Sequence, residues 1–327
     1  MIEINSKNIK NWSIVGPRPT LGLILFEIAK TLESLMVITA DVSTSAGLDR
    51  FRKTFPEKFV DTGISEQNMI GIAAGLADNG YKVFTTTFAP FQTLRCLDQI
   101  KVDLAYSKIG VTMVGLASGL IQGPLGNTHC CIEDIGALRS IPNITLLSPA
   151  DGLGLAKAII ASLQTDSPVY IRLTGGSNHP IVYHDDVEYK IGKFNKLLEG
   201  ENISIIATGT MVYNSLKAAE LLKQKGIAVS VYDAHTIKPI DEEVIKKCAL
   251  KDRLIVTVEE HNIIGGLGSS VAECIAKEKN STTHLSLGIK DVFLHSGDYN
   301  FMLQQSGLLP DQIAESIISA DLLNNIY

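Results

Sequence analysis

A chain of 327 residues is long enough for two domains, and 45% apolar with 20% charged residues is an ordinary globular balance. A net charge of −6 and the lack of any basic run argue against nucleic acid or an anionic membrane as partner. No apolar stretch reaches the roughly 18 residues needed to span a bilayer. Met1-Ile2-Glu3-Ile4-Asn5 has neither the basic start nor the apolar core of a signal peptide, so a cytoplasmic location is expected. The five cysteines (Cys96, Cys130, Cys131, Cys248 and Cys274) form no C-x-x-C pair and no metal-type spacing. They read as reduced thiols, with Cys130-Cys131 serving packing.

β-type apolar runs alternate with helical patterns from end to end. This predicts an α/β fold of two domains, each a mainly parallel sheet flanked by helices. In the first, the expected strands are Met36–Thr39, Val83–Thr87, Val111–Leu116, Ile144–Leu147 and Val169–Leu173. The helices expected around them are Leu21–Leu32, Ser65–Asp78, Pro90–Tyr106, Ile132–Ser140 and Gly152–Gln164, with Pro90 in a favoured first-turn position. Gly175-Gly176-Ser177-Asn178-His179-Pro180 ends this pattern, and the polar run Tyr183–Lys190 has no period. Residues 1–182 therefore read as one domain, 183–201 as a linker and 202–327 as a second domain. The second is expected to run through strand Ile203–Ala207, helix Val212–Lys225, and strands Val229–Tyr232 and Arg253–Val258. The glycine-rich turn Gly265-Gly266-Leu267-Gly268 then leads into helix Ser269–Lys277.

Asp61 to Ala77 reads as a turn that opens a helix. Gly63 is permissive, Ser65 is a candidate N-cap, and Ile70, Ala73, Ala74 and Ala77 share one face. Glu66 falls in the first turn, where the helix dipole favours a carboxylate. The next strand delivers Phe88-Ala89-Pro90-Phe91 at its C-terminal end. These segments, GISEQNMIGIAAGLA and TTTFAPFQTLR, resemble the pyrimidine-binding domain of transketolase-type thiamine diphosphate enzymes. The resemblance implies that Glu66 hydrogen-bonds N1′ of the cofactor's aminopyrimidine and that Phe88 and Phe91 pack around that ring. A third aromatic expected near Leu94 is aliphatic here. With N1′ protonated, the cofactor's own amino group takes the C2 proton, so the protein supplies the acid and a dry slot. Farther along, Ala234-His235-Thr236-Ile237-Lys238-Pro239-Ile240-Asp241 and VEEHNIIGGLGSSVAE resemble the C-terminal domain of the same enzymes, so the likeness covers nearly the whole chain.

Other candidates follow the strand ends, where α/β proteins bind ligands. The loop Gly123-Pro124-Leu125-Gly126-Asn127-Thr128-His129 matches the family's G-x-x-G-x-T-H, which implies that His129 meets substrate oxygens. Pro124 and Leu125 stand where a sugar-phosphate transketolase carries acids, so discrimination of the hydroxyl beside the carbonyl must differ. Arg18 and Ser45 lie where the family grips phosphate, and Asp41 where it keeps an acidic residue near the cofactor. On pattern alone, a surface arginine, an ordinary strand-end turn and a solvated histidine serve as well. A histidine and a second arginine of the usual phosphate grip are replaced by Ala117 and Gly175, and Arg172 is the candidate substitute. Glu259-Glu260-His261 is expected to be structural, away from the cofactor.

The family also holds the diphosphate through Mg²⁺, with a GDG motif followed by Asn in a separate domain. Gly297-Asp298-Tyr299-Asn300 lacks the second glycine and the spacing. The chain thus resembles the C-terminal subunit of a split transketolase. Its expected partner is an N-terminal subunit carrying GDG…N, in a heterotetramer of two such pairs, moving a two-carbon ketol unit from a ketose to an aldose. The rival readings are a β-subunit of a 2-oxoacid dehydrogenase E1 component, a deoxyxylulose-type synthase, and a non-catalytic subunit with a degenerate site.

Overall fold

The computed structural model describes residues 2–278 and 282–324. The first sheet contains β1 (Leu35–Thr39), β2 (Phe59–Asp61), β3 (Lys82–Phe88), β4 (Val111–Leu116), β5 (Thr145–Leu147) and β6 (Val169–Arg172). The second region adds β7 (Asn195–Leu198), β8 (Ile203–Ala207), β9 (Ser230–Asp233), β10 (Thr236–Lys238), β11 (Leu254–Asn262) and β12 (Thr283–Ile289). Strand order is β10-β5-β6-β4-β3-β1-β2 in a seven-stranded sheet and β12-β11-β8-β9-β7 in a five-stranded one. Every pairing is parallel except β10 with β5 and β7 with β9. This is the two-domain α/β architecture that the alternating pattern predicts.

The inner strands are buried on both faces because helices cover both. Val37 packs into one buried cluster, and its neighbours Met36 and Ile38 into the other. β4 and β8 have the expected limits, and β1, β3, β5, β6, β9 and β11 lie within a few residues of theirs. The expected helix Pro90–Tyr106 is instead broken into Ala89–Gln92, Leu94–Cys96, Leu97–Gln99 and a π-wound turn Ile100–Tyr106. The break falls at Thr93 (φ −110°, ψ −77°), whose backbone N–H (3.0 Å) and hydroxyl (2.7 Å) both donate to the Ala89 carbonyl.

The regions are joined more closely than a linker would join them. β7 lies inside 183–201 and pairs with β9 at the edge of the second sheet. β10 leaves its own domain and pairs with β5 of the first sheet, Thr236 opposite Leu147 and Lys238 opposite Leu146. A backbone bond from Asn262 N to the Ile132 carbonyl (2.8 Å) ties the domains again. No helix among the described residues is long and apolar enough to cross a membrane.

Candidate active site

The C-terminal ends of β1, β3 and β4 converge on one edge of the first sheet. β2 places Asp61 beside β1, and the Asp61 carboxylate accepts the backbone N–H groups of Asp41 (2.9 Å) and Gly63 (3.0 Å). That turn launches the helix Glu66–Asp78. Ser65 occupies the N-cap position, but its hydroxyl donates back to the Thr62 carbonyl (2.7 Å) and caps nothing. Glu66 begins the helix with its side chain turned inward and only 4% exposed.

A carboxylate so far from water requires a partner. Glu66 has one: Arg95 Nη1 donates to Oε1 at 2.7 Å. No other hydrogen bond reaches this carboxylate among the described residues, so Oε2 carries no protein donor. Arg95 also lies over the Phe91 ring, its guanidinium carbon 4.0 Å from the centroid, in cation–π geometry. The break in the expected helix is what turns Arg95 towards Glu66. Nothing in the local pattern distinguishes Arg95 from a solvated surface arginine, and the sequence reading passes over it. It remains 43% exposed, at the rim of the site.

Phe88 and Phe91 are half-buried. His129 meets both rings edge-on, with centroids 6.4 Å from Phe88 and 5.4 Å from Phe91. The Thr128 hydroxyl engages His129 Nδ1 at 2.9 Å, leaving Nε2 with no partner among the described residues. Leu94 is 42% and Leu125 57% exposed, and Ile64, beside Glu66, is 77% exposed. The structure thus brings together Glu66, Phe88, Phe91 and His129. Asp41 stands at the end of β1 with positive φ (57°) and is exposed.

Arg18 and Ser45 come together in a separate cleft of about 390 Å³, lined also by Thr44, Gly175, Gly176 and Ser177. Arg172 is not there. It is 1% exposed, and its Nε donates to both oxygens of Asp134 (3.0 and 2.9 Å). Its Nη2 donates to the carbonyls of Cys131 (3.2 Å) and Glu260 (2.8 Å). The expectation that Arg172 reaches substrate fails in this chain because the buried Asp134 charge, remote in sequence, claims the guanidinium. Tyr170 donates to the same carboxylate at 2.8 Å.

Glu259 and Glu260 are buried as structural groups should be. Glu259 accepts the N–H groups of Leu267 (2.7 Å) and Gly268 (2.8 Å) at the start of the helix Leu267–Ile275, and burial raises its carboxyl to about 7. Burial likewise lowers the His261 imidazole to about 4, and its Nε2 accepts from Gly136 N at 3.2 Å. The GDG look-alike is part of a helix start, where Asp298 accepts from Phe301 N at 3.0 Å. All five cysteines are buried and unpaired, and burial is the main cause raising the thiols of Cys96 (to about 12) and Cys131.

Would this edge hold an aminopyrimidine? The donor set fits. A dry carboxylate with one uncommitted oxygen, two half-buried aromatic rings and an imidazole form one chain of contacts through Arg95. Known proteins resemble the chain over most of its length. Residues 18–178 match the family model "Transketolase, pyrimidine binding domain", and residues 192–313 match "Transketolase, C-terminal domain". One of the apulose-4-phosphate transketolase subunits of Phocaeicola vulgatus is 38% identical over 94% of this chain and 97% of its own. The 6-deoxy-6-sulfo-D-fructose transketolase subunit SqwH of a Clostridium species is 36% identical over 91% of this chain and 92% of its own. A split-gene transketolase solved as an inactive beta4 tetramer superposes with TM-score 0.84 at 33% identity, covering 94% of this chain and 98% of that one. The chain belongs to the transketolase family, as a subunit of the split type that carries the pyrimidine-binding and C-terminal domains.

Proposed function

We propose that this chain is the catalytic C-terminal subunit of a cytoplasmic two-chain transketolase, and that it transfers a two-carbon ketol unit from a ketose to an aldose. The observation that carries the reading is the buried Glu66 carboxylate, with one oxygen uncommitted, linked through Arg95 to Phe91 and so to His129 and Phe88. When bound, thiamine diphosphate supplies the nucleophilic carbon and the electron sink for breaking and forming the carbon–carbon bond. Glu66 would hold the proton at the pyrimidine N1′. Phe88 and Phe91 would exclude water from that contact, with Asp41 near the cofactor. His129 would offer Nε2 to a substrate oxygen.

The cleft holding Arg18 and Ser45 would take the charged end of the sugar. The two relatives are named for sugars ending in phosphate and in sulfonate, which supports an anionic terminus as the feature read there. With Arg172 committed to Asp134, that grip rests on a single arginine and on hydroxyl and backbone donors. Mg²⁺ and the diphosphate would be held mainly by a partner chain with the GDG…N motif, in a heterotetramer of two such pairs. The inactive beta4 state named for one relative is what a subunit lacking its partner would show.

The test is ketol transfer by this chain mixed with a GDG…N partner, Mg²⁺ and thiamine diphosphate, using ketose phosphates as donors. Turnover that appears only in the mixture and is lost in Glu66→Ala supports the reading. Release of CO₂ from a 2-oxoacid without ketol transfer would replace it with decarboxylation chemistry.

A further inference from the structure

The loop that carries His129 has a narrow neck. Gly119 and Cys131 exchange backbone hydrogen bonds (Gly119 N to Cys131 O, 2.8 Å; Cys131 N to Gly119 O, 3.0 Å), so residues 120–130 project as one unit. What grips the neck comes from the other domain. Glu260, in β11 and 1% exposed, accepts Leu120 N at 2.6 Å through Oε1. Its Oε2 accepts the hydroxyls of Thr210 (2.5 Å) and Tyr299 (2.6 Å), both C-terminal-domain residues. The second strand of the neck is held through Arg172 Nη2, which bridges the carbonyls of Cys131 and Glu260. Gly119 has φ +72°, and a Cβ there would collide with the Glu260 carboxylate, so the neck and the glutamate are fitted to each other. Farther out, Asn127 Nδ2 donates to the Leu294 carbonyl (3.0 Å) and Gly297 N to the Gly123 carbonyl (3.3 Å).

We propose that Glu260 is a positioning residue for the reaction: it fixes the neck of the His129 loop, so the C-terminal domain sets where His129 stands relative to Phe88 and Phe91. A buried carboxylate with three donors, two from its own domain and one from the loop, is a rigid tether. It touches neither ring nor imidazole. The inference rests on the reading that His129 acts at substrate.

The test uses the assembled two-chain enzyme and a double-mutant cycle. Misplacing His129 by a fraction of its contact distance should cost roughly tenfold to a hundredfold in turnover, so Glu260→Ala is expected to fall by that factor. Cofactor affinity by calorimetry should stay within about twofold, because Glu66, Phe88 and Phe91 are not held by Glu260. Glu260→Gln keeps an oxygen for Leu120 N and should recover most of the loss. In a His129→Ala background, Glu260→Ala should cost nothing further. In the isolated chain, amide hydrogen exchange should speed up at residues 119–131 and not in the helix Glu66–Asp78. Should Glu260→Ala not fold, Tyr299→Phe removes one of the two hydroxyls on Oε2 and enters the same cycle. Additive losses in the His129→Ala background, or unchanged exchange at 119–131, would overturn the positioning role alone. Full turnover by His129→Ala would overturn the role of His129 itself, and with it this use of Glu260.

Discussion

Two buried glutamates in this molecule meet opposite fates. Glu66, 4% exposed, has a single donor from a half-exposed arginine and one uncommitted oxygen. Glu260, 1% exposed, has three donors that engage both of its oxygens. Burial alone therefore does not separate a functional carboxylate from a structural one. The difference lies in how much of the hydrogen-bonding capacity the fold itself consumes. The same contrast divides the arginines: Arg172 spends its donors on Asp134 and two carbonyls, whereas Arg95 rests on a ring face at the rim.

The largest effect should fall on activity at the unsaturated site. Glu66→Gln is expected to lower turnover of the assembled enzyme by roughly 10²–10⁴-fold, the range of a lost acid–base group. Its urea midpoint should stay close to that of the wild type. A variant that unfolds at much lower urea would show Glu66 to be structural and erase the contrast.

The reverse is expected at the saturated end. Arg172→Met strands the Asp134 charge in the core and should cost roughly 3–5 kcal/mol of folding stability. Near-normal stability there would mean that Asp134 is neutral or reached by water.

Legibility in the sequence follows the same division. Glu66, Phe88, Phe91 and His129 sit in short ordered motifs at strand ends, and it is the family resemblance of those motifs, not the local pattern alone, that singles them out. Arg95 needs the kink at Thr93 (φ −110°, ψ −77°) to reach Glu66, and the local pattern does not show that kink. Arg172 is misread because its partner Asp134 is brought near only by the parallel sheet. β10 reads as part of the second domain, since nothing in Thr236-Ile237-Lys238 shows that its partner is β5. Periodic elements are local properties, while ion pairs and sheet partners belong to the assembled chain.

Asp233 sharpens the comparison through pH. It is 1% exposed, takes the Tyr183 hydroxyl at 2.6 Å, and leaves Oδ1 without a partner. Burial raises its carboxyl from 3.8 to about 8. Between those values the unfolded chain releases a proton that the folded chain keeps, so stability falls as pH rises from about 4 to 8. Asp233→Asn should flatten that slope, so its advantage over wild type grows steadily from the lower end to the upper. Urea titrations at the two ends check this, and an unchanged slope would assign it to other groups.

The smallest stability effect is expected at the rim. Arg95→Met should cost about 1 kcal/mol, well below Arg172→Met, because water can enter beside Glu66 when the half-exposed guanidinium leaves. Equal losses at the two arginines would contradict the idea that one pair is open and the other sealed.

The most direct test of the unsaturated half-site is calorimetry of thiamine diphosphate with Mg²⁺, on this chain alone and after mixing with a chain that carries GDG…N. Binding that appears only in the mixture and is lost in Glu66→Ala is the expected result. Tight binding by the isolated chain would contradict the division of the cofactor site between two chains, and absence of binding in the mixture would contradict a catalytic role for Glu66.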